Sequence, residues 1–160
     1  MMRRSCITIV LTGATLLAGC VDAAKPVSPP TGSILVDPSV GPGPSPATPK
    51  QAGVLFAQIC IATLPNFEGA AAKLSAPPFK QNSTTGTYYH QQINLSFKLM
   101  KEDGKPVCSL VYGAKSAITP GVTAFANAVI ATRDAEANVV LGANPGPDNL
   151  TYFHAKALAN

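Results

Sequence analysis

What this chain lacks narrows its function before anything it contains. It has no apolar run long enough to cross a membrane as a helix, since the stretch 7–18 is about a dozen residues where roughly twenty are needed. Charged residues are only 12% of the chain. The lysines from Lys73 to Lys156 are scattered in ones and twos, without the clustering that a phosphate backbone requires, so nucleic-acid binding is not supported. There is no Cys-x-x-Cys, and the two histidines, His90 and His154, do not stand at metal-ligand spacing. Neither a zinc site nor a dithiol redox site is indicated. Gly-x-Ser-x-Gly, Ser-x-x-Lys and paired carboxylates in an apolar setting are all missing, and Glu102-Asp103 reads as a turn. His90 and His154 would meet only if their strands were neighbours, and two exposed histidines on a sheet read as solvated or binding groups before a catalytic pair. No catalytic residue, metal or cofactor is therefore assigned.

What is present begins with Leu17-Ala18-Gly19-Cys20, at the end of the apolar run that follows Arg3 and Arg4. A cationic start, a short apolar segment and small residues before a cysteine look like the lipobox of a bacterial lipoprotein, in which the thiol accepts a diacylglyceryl group. Residues 1–19 are expected to be a signal peptide and Cys20 the lipidated amino terminus. The alternatives are an ordinary secretory signal cut after Ala23 or Ala24, or an uncleaved anchor. Val21 follows the lipid site, and an Asp that retains such proteins in the inner membrane comes one place late, at Asp22. The expectation is an outer-membrane lipoprotein facing the periplasm, held to the membrane through its lipid anchor.

Cleavage changes two sums. Twelve basic residues against eight acidic give +4; removal of Arg3 and Arg4 leaves ten against eight, about +2, so the basic balance belongs partly to the signal. Of the four cysteines, Cys6 leaves with the signal and Cys20 carries lipid. Cys60 and Cys108 remain, and in an oxidising compartment such a pair is most simply a disulfide.

Residues 20–51 hold the lipidated Cys and a segment rich in Pro, Ser, Gly and Thr, with Pro42, Pro44, Pro46 and Pro49 at near-alternate positions. Repeated prolines remove backbone donors and favour extended polyproline II, so this segment reads as a disordered tether of about 3.1 Å per residue when extended. The folded part is expected over 52–160, with one small core.

Within it, Leu55, Phe56, Ile59 and Cys60 stand at helical spacing in 52–63, a second short helix fits 67–74, and 75–85 reads as a loop. Alternation over 88–100 predicts one strand, with Tyr89, Ile93, Leu95, Phe97 and Leu99 facing the core and His90, Gln92, Asn94, Ser96 and Lys98 facing water. Asp103-Gly104 predicts a tight hairpin turn into a partner strand, 107–112, whose Cys108, Leu110 and Tyr112 share a face. Thr119-Pro120 predicts the start of a helix with Val122, Phe125, Ala126, Val129 and Ile130 on one stripe. Strands at 139–141 and 150–158 complete the pattern. The resulting expectation is an α+β, two-layer domain: a four-stranded antiparallel sheet with two helices on one face, in the order helix, hairpin, helix, hairpin.

Phe56, Cys60, Leu64-Pro65-Asn66-Phe67, Gly86-Thr87-Tyr88-Tyr89, Asn94-Leu95-Ser96 and Pro106-Val107-Cys108-Ser109 together resemble a family of small uncharacterised proteobacterial periplasmic proteins and lipoproteins. The resemblance covers about residues 56–113. It implies a periplasmic location and places the two cysteines, and it carries no activity. The function expected is a non-enzymatic envelope module that binds a partner protein or peptidoglycan through a wet face bearing Tyr88, His90, Gln92 and Asn94. An inhibitor or protective factor against an envelope-directed hydrolase or toxin is one alternative, and an enzyme with an unrecognised site is the other.

Overall fold

The structure, a computed structural model, describes residues 40–131 and 138–159. The expected signal segment 1–19, Cys20 and the expected tether as far as residue 39 lie outside the described residues. Residues 40–51, assigned above to the tether, belong to the fold. The chain runs in from Val40 to β1, Ser45–Pro46, with Gly43 and Ala47 buried. Asn82 Nδ2 donates to the Val40 carbonyl at 2.9 Å, and the Ala47 amide donates to the Gly113 carbonyl at 2.8 Å. A Cβ on Gly43 would lie 2.4 Å from the Ile93 amide nitrogen, so only glycine permits this backbone-to-backbone approach.

Helix α1, Pro49–Ile59, starts three residues earlier than the apolar periodicity indicates, because Thr48-Pro49-Lys50-Gln51 is a capping box. The Gln51 amide donates to Thr48 Oγ1 at 3.2 Å, the Thr48 amide donates to Gln51 Oε1 at 3.1 Å, and Pro49 occupies a first-turn position that needs no donor. A 3-10 turn, Ile61–Thr63, leads to α2, Glu68–Leu74. The segment read as a loop contains a short strand, β2, Phe79–Gln81.

The single strand expected over 88–100 is two strands, β3, Tyr88–His90, and β4, Ile93–Glu102, folded back on one another so that Tyr88 lies opposite Phe97 and Tyr89 opposite Ser96. The turn at Gln91-Gln92 reverses which residues face inward. Before it Tyr88 and His90 are buried; after it Leu95 and Phe97 are. Tyr89 and His90 therefore sit on the faces opposite to those expected.

Asp103 and Gly104, with φ of 52° and 80°, make the predicted turn into β5, Lys105–Ala114. Helix α3, Ile118–Ile130, is capped at Ala117 and not at Thr119, so Pro120 falls within its first turn. The second hairpin is β6, Asn138–Pro145, and β7, Thr151–Leu158.

The fold is α+β with three helices and a mostly antiparallel sheet of seven strands, not four. The strand order is β2-β3-β4-β5-β7-β6, with β1 pairing parallel to β4. The additions are β1, β2 and β3, each only two or three residues long, too short for alternation to reveal.

One core joins helices and sheet. Phe56 of α1, Leu74 of α2 and Phe125 of α3 pack with Leu95, Phe97, Leu110, Tyr112 and Phe153 of the strands. Helices α1 and α3 approach closely at Gly53, where a Cβ would lie 2.7 Å from Ala128 Cβ and 2.8 Å from the Phe125 carbonyl oxygen. Cys60, the C-cap of α1, is bonded to Cys108 of β5, with Cα atoms 5.6 Å apart and both residues fully buried. The expected disulfide is present.

Candidate functional site

A groove of about 410 Å³ opens between the first turns of α1 and the β3–β4 turn. Its volume falls within the range of ordinary ligand clefts. The helix contributes Thr48, Lys50, Gln51, Val54 and Leu55; the turn contributes His90, Gln92 and Ile93. Val54, Leu55 and Ile93 are half-buried and make it partly apolar, whereas Lys50 and Gln92 are exposed.

His90 is the buried polar group of this groove, 8% exposed, its ring set edge-on to Phe79 at a centroid distance of 5.2 Å. Its Nδ1 accepts from the amides of Gln92 at 3.2 Å and Ile93 at 3.3 Å. An acceptor nitrogen bears no proton, so the ring is the neutral tautomer with its proton on Nε2. Burial also holds its pKa below the usual imidazole value. The histidine thus closes the turn that splits β3 from β4 and leaves an N–H as its remaining polar atom.

The chemistry of the lining is one-sided. It holds the Lys50 ammonium, the His90 N–H and the amide of Gln92, and it includes no carboxylate. Thr48 Oγ1 and Gln51 Oε1 are occupied by one another and by the helix cap, which leaves the Gln51 amide nitrogen as a donor. One cation and several donors, with Gln92 Oε1 as an acceptor beside them, suit a ligand that carries acceptor oxygens and a small apolar part. A neutral His90 with both faces of its role fixed by the turn is poorly placed as a general base. Among the described residues, no three His, Cys, Asp or Glu side chains are grouped as a metal site would need.

The four residues proposed as one wet face are divided three ways. Tyr88 faces the core at 8% exposure. His90 and Gln92 line the groove. Asn94 lies on the sheet face opposite the core, where its Nδ2 donates to the Tyr152 hydroxyl at 3.3 Å. That opposite face carries Tyr89, Ser96, Val111, His154 and Gly142 as a row across five strands. His90 and His154 do not meet, because β4 and β5 lie between their strands and they project from opposite faces.

The α1 contribution to the groove was hidden in the sequence by the proline-rich context of Thr48 to Gln51, although the Thr-x-x-Gln spacing of a capping box was there to be read. A reversal of alternation, from even positions at Tyr88 and His90 to odd ones at Ile93 and Leu95, likewise marks the turn.

Among the described residues no helix is long and apolar enough to cross a membrane. No model of a protein family, no curated protein and no solved structure matches this chain.

Proposed function

We propose that this protein is a bacterial envelope lipoprotein, tethered through Cys20, that works by binding an acceptor-bearing envelope ligand in the groove between α1 and the β3–β4 turn. The ligand is a partner protein or peptidoglycan, and the anchor is a lipid at the outer membrane facing the periplasm. The observation that carries the reading is the groove of about 410 Å³ between α1 and the β3–β4 turn, which bears one cation and no carboxylate. The lipobox and the resemblance to periplasmic proteins support the location. The helices in this reading form one layer that both packs the sheet and, through α1, supplies half of the groove. His90 serves as a donor and as the fastening of the turn, not as an acid or base.

Negative charge placed at two exposed groove residues tests this without touching the core. A Lys50→Glu, Gln92→Glu chain, folded and anchored as the wild type is, should fail to complement a deletion strain, whereas Val111→Glu on the opposite sheet face should complement. Full complementation by the groove variant together with failure of Val111→Glu would move the site to the open sheet face.

A further inference from the structure

We infer that the chain pairs with a second copy of itself along the outer edge of β6 over residues 139–143, antiparallel and centred on Leu141. The two edges of the sheet differ in kind. At one end β2 is three residues long, bears Lys80 and follows Pro77-Pro78. Shortness, a lysine and nearby prolines are the devices by which proteins keep an edge from pairing. At the other end β6 runs eight residues, Asn138–Pro145, with no charged side chain, and no described strand pairs with its outer edge. It lacks each of those protections until its last residue, Pro145.

The edge is also self-complementary. With Leu141 opposite Leu141 of the partner subunit, Val140 lies opposite Gly142 of the partner subunit, and Val139 opposite Ala143 of the partner subunit. On either side of the central Leu141 pair a valine meets a smaller residue, with no like charges across the pair. The register keeps faces matched: Val139, Leu141 and Ala143 lie opposite Ala157, Ala155 and Phe153 of β7, the core side of the sheet, in both copies.

Exposed apolar surface gathers at the same place. Ile130 at 61%, Val140 at 51% and Leu141 at 36% are three of the five large hydrophobic residues left exposed among the described residues. A groove of about 140 Å³ between α3 and β6 is lined by apolar residues alone, among them Phe125, Ile130 and Leu141. A two-fold axis at Leu141 brings the two α3 helices toward one another on that side, so each Ile130 gains cover. Because one such edge is present among the described residues, the contact is isologous and closes at a dimer without growing into a filament.

Cross-linking reads the register directly. In the full chain in detergent solution, with wild type as the background for Cys6 and Cys20, Leu141→Cys should form a disulfide dimer, since directly opposite residues fall within bridging distance. Val139→Cys alone should not rise above background, its symmetry mate being four residues away along the strand, about 13 Å. Mixed Val139→Cys and Ala143→Cys chains should cross-link. Independently, light scattering corrected for bound detergent should give a dimer for wild type and a monomer for Val140→Lys, which should keep the wild-type circular dichroism because that side chain faces solvent in the single chain. A monomeric wild type, a Val140→Lys dimer, or Leu141→Cys no faster than Val139→Cys would overturn the inference. An adduct with a different protein in place of the homodimer would overturn it too.

Discussion

The backbone amide of Gly43 donates to the carbonyl of His90 at 3.0 Å, which fastens the segment ahead of β1 to a residue that lines the groove. The same amide also reaches the Ile93 carbonyl at 3.2 Å, and the Ser45 amide reaches that of Gln92 at 3.3 Å. These bonds hold residues 43–45 against the β3–β4 turn. Gly43→Ala places a methyl against the Ile93 and Gln92 backbone and should cost about 1–3 kcal/mol, as overpacking usually does. Hydrogen exchange at Gln92 and Ile93 should rise with it. Unchanged exchange and stability would separate the strap from the groove.

His90 makes the fold sensitive to acid. Its folded pKa lies below the usual 6.5 through burial, so below pH 6.5 the unfolded chain takes up the proton more readily than the folded one. The contribution is complete above pH 6.5 and is lost as pH falls toward the folded value. Protonation of Nδ1 also breaks the hydrogen bonds from Gln92 and Ile93. Melting temperature should fall from pH 7 to pH 5 in the wild type and fall less in His90→Gln. Equal slopes for the two proteins would assign the acid sensitivity elsewhere.

Tyr112 lies between Phe125 and Phe153, with centroids 5.8 Å and 5.0 Å away and planes within 15° and 11° of parallel. Its hydroxyl is buried and has no hydrogen-bond partner, and burial raises its pKa. An unsatisfied buried hydroxyl costs about 1–3 kcal/mol, while the ring alone supplies the stacking. Tyr112→Phe should therefore stabilise the protein by about 1 kcal/mol in urea denaturation. A loss of stability would mean that the hydroxyl is satisfied in solution.

The Cys60–Cys108 bridge spans 48 residues, and the loop entropy it removes from the unfolded chain corresponds to about 4 kcal/mol. Cys60→Ala with Cys108→Ala should lower the denaturation free energy by about that amount while leaving ligand binding in place, since neither residue reaches the groove. A change below about 1 kcal/mol would show that the unfolded chain is restrained by other means.

Long elements were legible in the sequence and short ones were not. Asp103-Gly104 between two alternating runs specified the β4–β5 hairpin, and the stripe through Phe125 and Val129 specified α3, because each repeats its signal over two or more turns or pairs. The strand pair β3–β4 was read as one because Gln91-Gln92 carries none of the Gly, Pro, Asn or Asp that usually mark a turn. What makes that turn is the His90 ring accepting two amides, an interaction that appears only once the chain has folded back. The same misplaced turn put Tyr88 and His90 on the wrong face and assembled four residues into a surface that the fold divides. Of the four, His90 and Gln92 line the groove, and the α1 residues opposite them come from a stretch whose prolines masked a helix cap.

Binding in the groove is tested most directly by site-specific photo-cross-linking in intact envelopes, with a photoreactive side chain at position 50, 92 or 111 of the otherwise native chain. Lys50 and Gln92 line the groove, and Val111, 40% exposed, lies on the opposite sheet face. The account predicts one common adduct from positions 50 and 92 and none from 111. An adduct from 111 alone, or none from any of the three, would contradict it.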